Sequence, residues 1–145
     1  MSGLRRTEDG AALVELAVAL PVLLLLAIGA AEFGRVYHTA VTVANAARAG
    51  AHYGSQRTTF AVDAPGMEQA SRNEAADIGT IRTKASYFCR CSNGTIPVCT
   101  ASCSGYGVPQ VFVKDSVEKI FPLILRYPGI PDSFTVRHVA VFRVQ

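Results

Sequence analysis

The feature that most constrains this sequence is an apolar run from Ala11 to Ala31. It contains 21 residues, and Glu15 is its only charged residue. At ~1.5 Å per residue, a helix of this length spans about 30 Å, which matches the hydrocarbon core of a bilayer. We therefore predict that residues 11–31 form a single membrane-spanning helix. A carboxylate inside such a helix is costly, so Glu15 requires a partner.

The flanks of the apolar run predict its orientation. Arg5 and Arg6 are the only basic residues before it. Because basic residues remain on the cytoplasmic side, we expect the N-terminus in the cytoplasm and the C-terminal domain in the periplasm or outside the cell. The predicted location is thus the inner (cytoplasmic) membrane, crossed once.

Four cysteines lie within fifteen residues: Cys89, Cys91, Cys99 and Cys103. An even, clustered set after a membrane segment predicts two disulfides in an oxidising compartment. The spacing lacks the C-x₂-C pair that is common in zinc sites, so zinc is the lesser alternative. Three connectivities are possible. The Asn-Gly turn signal between the cysteines favours the nested pairing of Cys89 with Cys103 and Cys91 with Cys99.

Helical periodicity continues past the apolar run to about Tyr53, with apolar positions such as Phe33, Tyr37, Val43 and Ala47. Pro21 is expected to bend this helix because it removes a backbone donor. The domain boundaries follow from this pattern. They are a polar leader at 1–10, a long helix at 11–53 and an exported domain at 54–145.

The exported domain is predicted to contain a small antiparallel sheet and one or two helices. Asp63 and Pro65 form a helix start signal before a mostly polar helix over 66–85. The segments 86–91 and 95–103 flank Ser92-Asn93-Gly94 as a hairpin. Alternating patterns predict strands over 108–121 and 133–144, joined by a turn-rich connection over 122–132. The fold class is α+β, a lollipop of one long helix followed by a small sheet with one or two helices.

The start of the chain resembles the cleavage motif of type IV prepilin-like proteins. Gly10 ends a polar leader, four apolar residues follow, and Glu15 precedes the long apolar helix. The resemblance implies that a prepilin peptidase cuts after Gly10 and frees the amine of Ala11. It also implies that Glu15 faces the positive N-terminus of a neighbouring subunit, which would supply the missing countercharge.

Residues 10–50 also resemble TadE-like pseudopilins of the tight-adherence (Tad/Flp) pilus system. The matching positions are Gly10, Val14, Glu15, Leu20, Pro21 and Glu32. The C-terminal layout is similar, with a valine-rich strand, a proline-containing loop and a last strand that ends near Arg143. The four-cysteine cluster departs from the family pattern.

The resemblance implies a minor pseudopilin, since the major Flp pilin is much shorter. Such a protein would be needed to assemble or prime a pilus or a related secretion pseudopilus. The implied partners are a prepilin peptidase, other pilin-like subunits and inner-membrane assembly proteins, in a hetero-oligomer.

Two other interpretations of the helix remain open. A cleaved signal peptide would place its site at Gly29-Ala30-Ala31, but the charge-free stretch from Leu16 has sixteen residues, more than the ~7–15 usual for that class. A generic anchor would carry a disulfide-stabilised binding domain that belongs to no filament. At the predicted membrane boundary, Glu32 and Arg35 have the spacing of an i,i+3 ion pair, worth a few tenths of a kcal/mol.

No enzymatic motif supports catalysis. His38, His52 and His138 lack metal-ligand spacing and an obvious carboxylate partner, and no nucleophile elbow or phosphate loop occurs. We therefore expect no enzyme, no cofactor and no metal; a periplasmic hydrolase is the least favoured alternative. The net charge is only +3 and the basic residues are scattered, which predicts no nucleic-acid partner.

Overall fold

The computed structural model describes residues 6–105, 107–124, 129 and 131–145. Its contacts divide the chain into two compact units, Met1–Val36 and Tyr37–Gln145. The element order is three α-helices followed by three strands, with a 3₁₀ turn before the first strand. This arrangement confirms the α+β fold class.

The first helix, α1, extends over Arg6–Ser55 and contains 50 residues. Pro21 lies inside it, and the helix continues on both sides of this residue. Every residue from 10 to 27 is exposed, and the segment Gly10–Ser55 is long and apolar enough to be a candidate membrane span. The predicted end near Tyr53 agrees with the observed end within the usual uncertainty of helix boundaries.

Two shorter helices follow, α2 at Thr58–Ala61 and α3 at Ala64–Glu74. The predicted start of α3 is confirmed, because the Asp63 side chain caps it by accepting a hydrogen bond from the Gly66 N–H at 3.1 Å. Its predicted end at residue 85 is wrong. A 3₁₀ turn follows at Ala76–Ile78, and Gly79 then takes a φ of 74°, which a right-handed helix cannot contain.

The three strands form one antiparallel sheet in the order β1-β2-β3. Strand β1 covers Arg82–Arg90, β2 covers Gln110–Pro122 and β3 covers Ser133–Arg143. The last two agree with the predicted strands. The first begins four residues before the predicted hairpin strand and takes over the end of the predicted helix.

The predicted hairpin within 86–103 does not form. The turn itself is present, since the Gly94 N–H donates to the Cys91 carbonyl and the Cys91 N–H donates to the Thr95 carbonyl, both at 2.9 Å. However, no strand follows in 95–103, and β1 pairs instead with β2, with Cys89 opposite Val111. The valine-rich β2 is longer and has a core-facing row, so it offers β1 a better partner than the proline-containing loop.

The core lies between the last third of α1, helix α3 and one face of the sheet. Its buried residues include Val43, Ala46, Ala47 and Ala51 from α1, Met67 from α3, and Val113, Val117 and Ala140 from the sheet. Phe33 and Tyr37, which the sequence placed on the apolar face, are 73% and 65% exposed. The buried stripe of α1 consists of small residues, mostly alanine. Small side chains let the helix approach the sheet closely.

Two glycines show how close this approach is. A Cβ on Gly50 would collide with the side chains of Asp115 and Ser71, and one on Gly54 would collide with the Met67 thioether. These positions accept no larger residue without movement of the neighbouring groups.

Of the predicted connection over 122–132, residues 125–128 and 130 lie outside the described part of the chain. The same is true of residues 1–5 of the predicted leader.

Candidate assembly site on the N-terminal helix

The candidate site consists of Gly10, Ala11 and Glu15 on α1. Ala11 and Glu15 are spaced i,i+4, so they lie on the same face about 6 Å apart along the helix axis. All three residues are exposed. Ala11 and Glu15 thus share one face, whereas Gly10 lies about 100° around the helix from Ala11.

Glu15 lies in the middle of an apolar face. The residues that form this face recur at helical spacing and are Ala11, Val14, Glu15, Val18, Ala19, Val22 and Leu23. Glu15 is the only polar member. Within the described residues it has neither a hydrogen-bond nor an ion-pair partner. A carboxylate in this position is available to a group that another molecule supplies.

Gly10 has no packing role in the described structure. Apart from its chain neighbours and the adjacent backbone of its own helix, no described heavy atom lies within 4 Å of the position that a Cβ would occupy on Gly10, in contrast to Gly50 and Gly54. The same open space surrounds Gly29 and Gly34. Packing therefore does not explain why residue 10 is a glycine.

The four cysteines form two disulfides, and their pairing corrects the nested prediction. Cys89 pairs with Cys99, and Cys91 pairs with Cys103, with Cα–Cα distances of 5.1 and 5.8 Å. The nested pairing required segments 86–91 and 95–103 to lie side by side as a hairpin. Because the second segment forms no strand, hairpin register does not select the pairs.

The disulfides attach the loop after β1 to the end of that strand. Cys89 and Cys91 are 1% and 4% exposed. Cys103 also bridges to Gly107 through a backbone hydrogen bond of 2.9 Å from the Cys103 N–H. Loops of this size gain about 3 kcal/mol each in the chain-entropy model. The cluster is thus a structural staple for a loop that has little secondary structure.

A buried polar cluster around Asp115 was not predicted from the sequence. Asp115 is fully buried between Val113 and Val117 on the core face of β2. Its Oδ1 accepts a hydrogen bond from the Thr83 hydroxyl at 3.0 Å, and its Oδ2 accepts one from the Ser71 hydroxyl. The signal was the acidic residue at the centre of an alternating valine pattern.

Burial raises the pKa of the Asp115 carboxyl, because the charged form loses its hydration. The hydrogen bonds from Ser71 and Thr83 oppose this shift, while the nearby charge of Glu68 adds to it. The cluster joins α3, β1 and β2 through one carboxyl group. It is internal to the domain, because Asp115 and Ser71 are fully buried.

The comparison with protein families identifies the helix. The family described as TadE-like protein matches residues 10–52. The matched residues lie within the N-terminal helix, α1. The match covers less than a third of the 145 residues and confirms the predicted resemblance for this segment. No curated protein and no solved structure matches the chain.

The matched segment contains Gly10, the apolar face around Glu15 and the buried residues Val43, Ala46, Ala47 and Ala51, by which α1 packs on the sheet. The match suggests an involvement in the Tad pilus system and, with it, pilus components as partners. The apolar helix is consistent with membrane anchoring.

At the predicted membrane boundary of the TadE-like segment, Arg35 donates to Glu32, with Nη1 and Oε2 3.2 Å apart. The predicted i,i+3 ion pair therefore exists. His38, for which no carboxylate was expected, lies 3.5 Å from Asp77, measured from Nε2 to Oδ2. Both side chains are exposed, so the contact is a weak surface pair.

The described residues contain no group of three or more His, Cys, Asp or Glu side chains that could hold a metal ion. All four cysteines are oxidised in disulfides. TadE-like proteins are a pilus-associated family without known enzymatic activity, and no positive sign of catalysis accompanies the match.

Proposed function

We propose that this protein is a minor pseudopilin of a Tad/Flp pilus or a related secretion pseudopilus, and that a prepilin peptidase cuts it after Gly10. The observation that carries the proposal is the placement of Ala11 and Glu15 on one apolar helix face, directly after Gly10, within the segment that matches the TadE-like family. Cleavage removes the polar leader 1–10 and leaves the amine of Ala11 as the first group of the mature helix.

The glycine at position 10 supports the proposed cleavage, because packing within the described structure does not explain the choice of glycine there. A protease that must bind the chain in an extended form next to the cut benefits from a residue without a side chain. Gly10 has open space around it in the chain, so a larger residue would be tolerated by the fold. We therefore assign the glycine to recognition by the peptidase.

Glu15 supports assembly. The new ammonium at Ala11 of one subunit and the carboxylate of Glu15 of the next would attract each other where water is excluded. At a separation of 4 Å and an effective dielectric constant of 20, this attraction is about 4 kcal/mol. It offsets the cost of keeping an ionised carboxylate in apolar surroundings. Helices of neighbouring subunits would then pack with a defined axial offset.

The proposed topology places the N-terminus in the cytoplasm and the disulfide-containing domain in the periplasm. Arg5 and Arg6 before the helix favour this orientation, and the two disulfides fit an oxidising compartment. The domain would then meet other pilin-like subunits and inner-membrane assembly proteins on the outer side of the membrane.

The deciding experiment is to determine the mature N-terminus. The full-length protein is expressed with and without its cognate prepilin peptidase, and intact mass and N-terminal sequencing are recorded. We expect a chain that begins at Ala11 only when an active peptidase is present. Persistence of residues 1–10 on functional material, or a chain that begins near Glu32, contradicts the proposal.

The alternative function is a membrane-anchored binding domain outside any filament. It is favoured by one observation, the disulfide-stapled domain beyond residue 52 that the family match does not include. Replacing residues 1–31 by an unrelated anchor separates the two functions. A pseudopilin loses its activity in this chimera, whereas an anchored binding domain keeps it.

A further inference from the structure

The face of the sheet that points away from the core carries a concentration of positive charge. The register places alternate residues of the three strands on this face. Six exposed basic residues belong to it: Arg82, Lys84, Arg90, Lys114, Arg137 and Arg143. Glu118 is its single acidic residue, which gives the face a net charge of +5 against +3 for the whole chain.

Two lysines and two serines form a diagonal pattern at the centre of this face. Lys84 lies opposite Ser116, and Ser86 lies opposite Lys114. The two lysines are therefore diagonal neighbours, a spacing of about 7–8 Å in antiparallel sheets. Together with Thr83, Arg82, Arg137 and Glu118 these residues line a shallow depression of about 540 Å³. Arg137 forms an ion pair with Glu118, with Nε and Oε1 3.2 Å apart, so Arg82, Lys84 and Lys114 supply the charge that this pair does not neutralise. An anionic group of phosphate size placed there would contact two ammonium groups and a hydroxyl.

An aromatic pair lies one row further along the same strands. Phe88 and Phe112 stack with ring centroids 5.5 Å apart, and the guanidinium group of Arg90 lies 5.6 and 5.5 Å from the two centroids. Adjacent rows on one face are about 7 Å apart along a strand. The depression between the lysines and the stacked rings of Phe88 and Phe112 are thus next to each other.

We propose that this face, defined by the six basic residues and the Phe88–Phe112 pair, binds single-stranded nucleic acid. The sequence predicts no nucleic-acid partner because its basic residues are scattered along the chain, whereas the sheet register brings six of them to one face. Proteins that bind single strands combine a positive surface that follows the phosphates with aromatic side chains that stack on bases. Phosphates would occupy the depression between Lys84 and Lys114, and bases would stack at the aromatic pair and Arg90. Backbone charge and base planes are common to all sequences, so the binding would be sequence-tolerant.

Other polyanions fit this face less well. An acidic polysaccharide supplies negative charge but no flat aromatic base to match the ring pair. A vesicle of anionic lipid supplies phosphates and an apolar layer, but no planar base to stack on the rings. The proposal does not depend on cleavage after Gly10 or on filament assembly, so each can fail without the other.

The first test measures binding by the full chain in uncharged detergent micelles. A fluorescein-labelled, 20-nucleotide single-stranded DNA of mixed sequence is titrated, and its anisotropy is recorded between 50 and 200 mM NaCl. If four or five phosphates are neutralised, the log–log salt slope is about −3, so the affinity falls roughly 60-fold across this range. Absence of binding at 50 mM NaCl overturns the proposal.

A matched pair of variants tests the location. We expect Lys84→Glu/Lys114→Glu to weaken binding at least tenfold. Arg48→Glu/Arg57→Glu, whose residues are exposed on α1 and before α2, loses the same net charge and should change affinity by about twofold at most. Equal losses in the two variants overturn the proposal. Lys84→Gln/Lys114→Gln repeats the test without new negative charges, and circular dichroism checks each fold.

A third variant distinguishes nucleic acid from other polyanions. Phe88→Leu/Phe112→Leu keeps apolar bulk but removes the rings, so it should weaken DNA binding about tenfold while heparin binding stays unchanged. Heparin or phosphatidylglycerol vesicles that bind as tightly as DNA, with DNA affinity indifferent to the ring variant, would overturn the proposal in favour of a general anionic surface.

Discussion

Glu15 and Asp115 are both carboxylates in apolar surroundings, yet their environments differ. Asp115 is fully buried and accepts hydrogen bonds from Ser71 and Thr83. Glu15 is exposed on an apolar helix face, and no described residue of the chain pairs with it. The domain itself satisfies Asp115, whereas the partner proposed for Glu15 comes from a neighbouring subunit. This difference separates a structural acid from a candidate assembly acid.

At Glu15, we expect Glu15→Ala to insert into the membrane normally but to assemble poorly. Loss of even about 1.4 kcal/mol at one contact lowers subunit association tenfold. Incorporation into filaments, or co-purification with pilin-like partners, is the measurement. Glu8→Ala is the matched control, since its acid lies in the predicted leader and should leave assembly unchanged.

Normal assembly of the Glu15→Ala variant would contradict the intersubunit charge pair. If Glu15→Ala assembles normally but its helix is less stable, the Ala11 amine and the Glu15 carboxylate pair within one chain.

At Asp115, the raised pKa predicts a specific pH dependence of stability. The unfolded carboxyl titrates near 3.9, as a rule, and the folded one titrates higher, so the folded chain holds the proton to higher pH. The contribution of Asp115 to the unfolding free energy is therefore greatest below about pH 4 and is lost as the pH rises through the folded pKa.

Asp115→Asn removes this titration. The unfolding free energy of the wild type minus that of the variant should therefore fall as the pH rises from 4 to 7. Denaturant unfolding in detergent, followed by circular dichroism, measures it. Glu74→Gln, at the exposed end of α3, controls for the loss of one acid. A difference that grows with pH would show that the hydrogen bonds outweigh burial.

At the scale of elements, the contact of α1 with α3 and β2 depends on small residues. A Cβ on Gly50 would collide with the backbone carbonyl of Met67 as well as with Asp115 and Ser71. We expect Gly50→Ala to destabilise the domain by about 1–3 kcal/mol, measured by thermal unfolding. Gly34→Ala is the control, because open space surrounds Gly34 and alanine favours helix by up to ~1 kcal/mol.

The loop after β1 allows a direct check of the disulfide pairing. Trypsin cuts after Arg90 and separates Cys89 from Cys91, and elastase can cut after Ala101 to separate Cys99 from Cys103. Mass spectrometry of the unreduced digest should then find Cys89 linked to Cys99 and Cys91 linked to Cys103. A peptide that links Cys89 to Cys103 would restore the nested pairing.

At the scale of the whole molecule, the prediction concerns sidedness. In intact spheroplasts, external protease should remove the domain beyond residue 55, while an epitope at the N-terminus of an uncut chain stays protected. Disrupted spheroplasts should lose both. The physical reason is that Arg5 and Arg6 lie directly before the apolar run, and basic residues at this position resist translocation across the membrane. Protection of the domain in intact spheroplasts would reverse the proposed topology.

Local pattern was sufficient for several parts of this protein. The length and composition of residues 11–31, the spacing of Gly10 and Glu15, and the valine alternation of β2 and β3 each depend on neighbours within a few residues. Side-chain periodicity follows directly from helix and strand geometry. The predicted helix, the two later strands, the cap at Asp63 and the ion pair of Glu32 with Arg35 are therefore present in the structure.

Other features required contacts between distant segments. The partner of β1, the cysteine pairs, the Asp115 cluster and the basic face all depend on which residues of separate strands lie opposite each other. Shifting a strand by one residue exchanges its two faces, so register alone decides whether Lys84 and Lys114 become neighbours. The sequence by itself determined the helix, its carboxylate and the strand alternation, because those signals are local; the tertiary structure alone decided how the scattered charges, acids and thiols meet, because that depends on packing between distant parts of the chain.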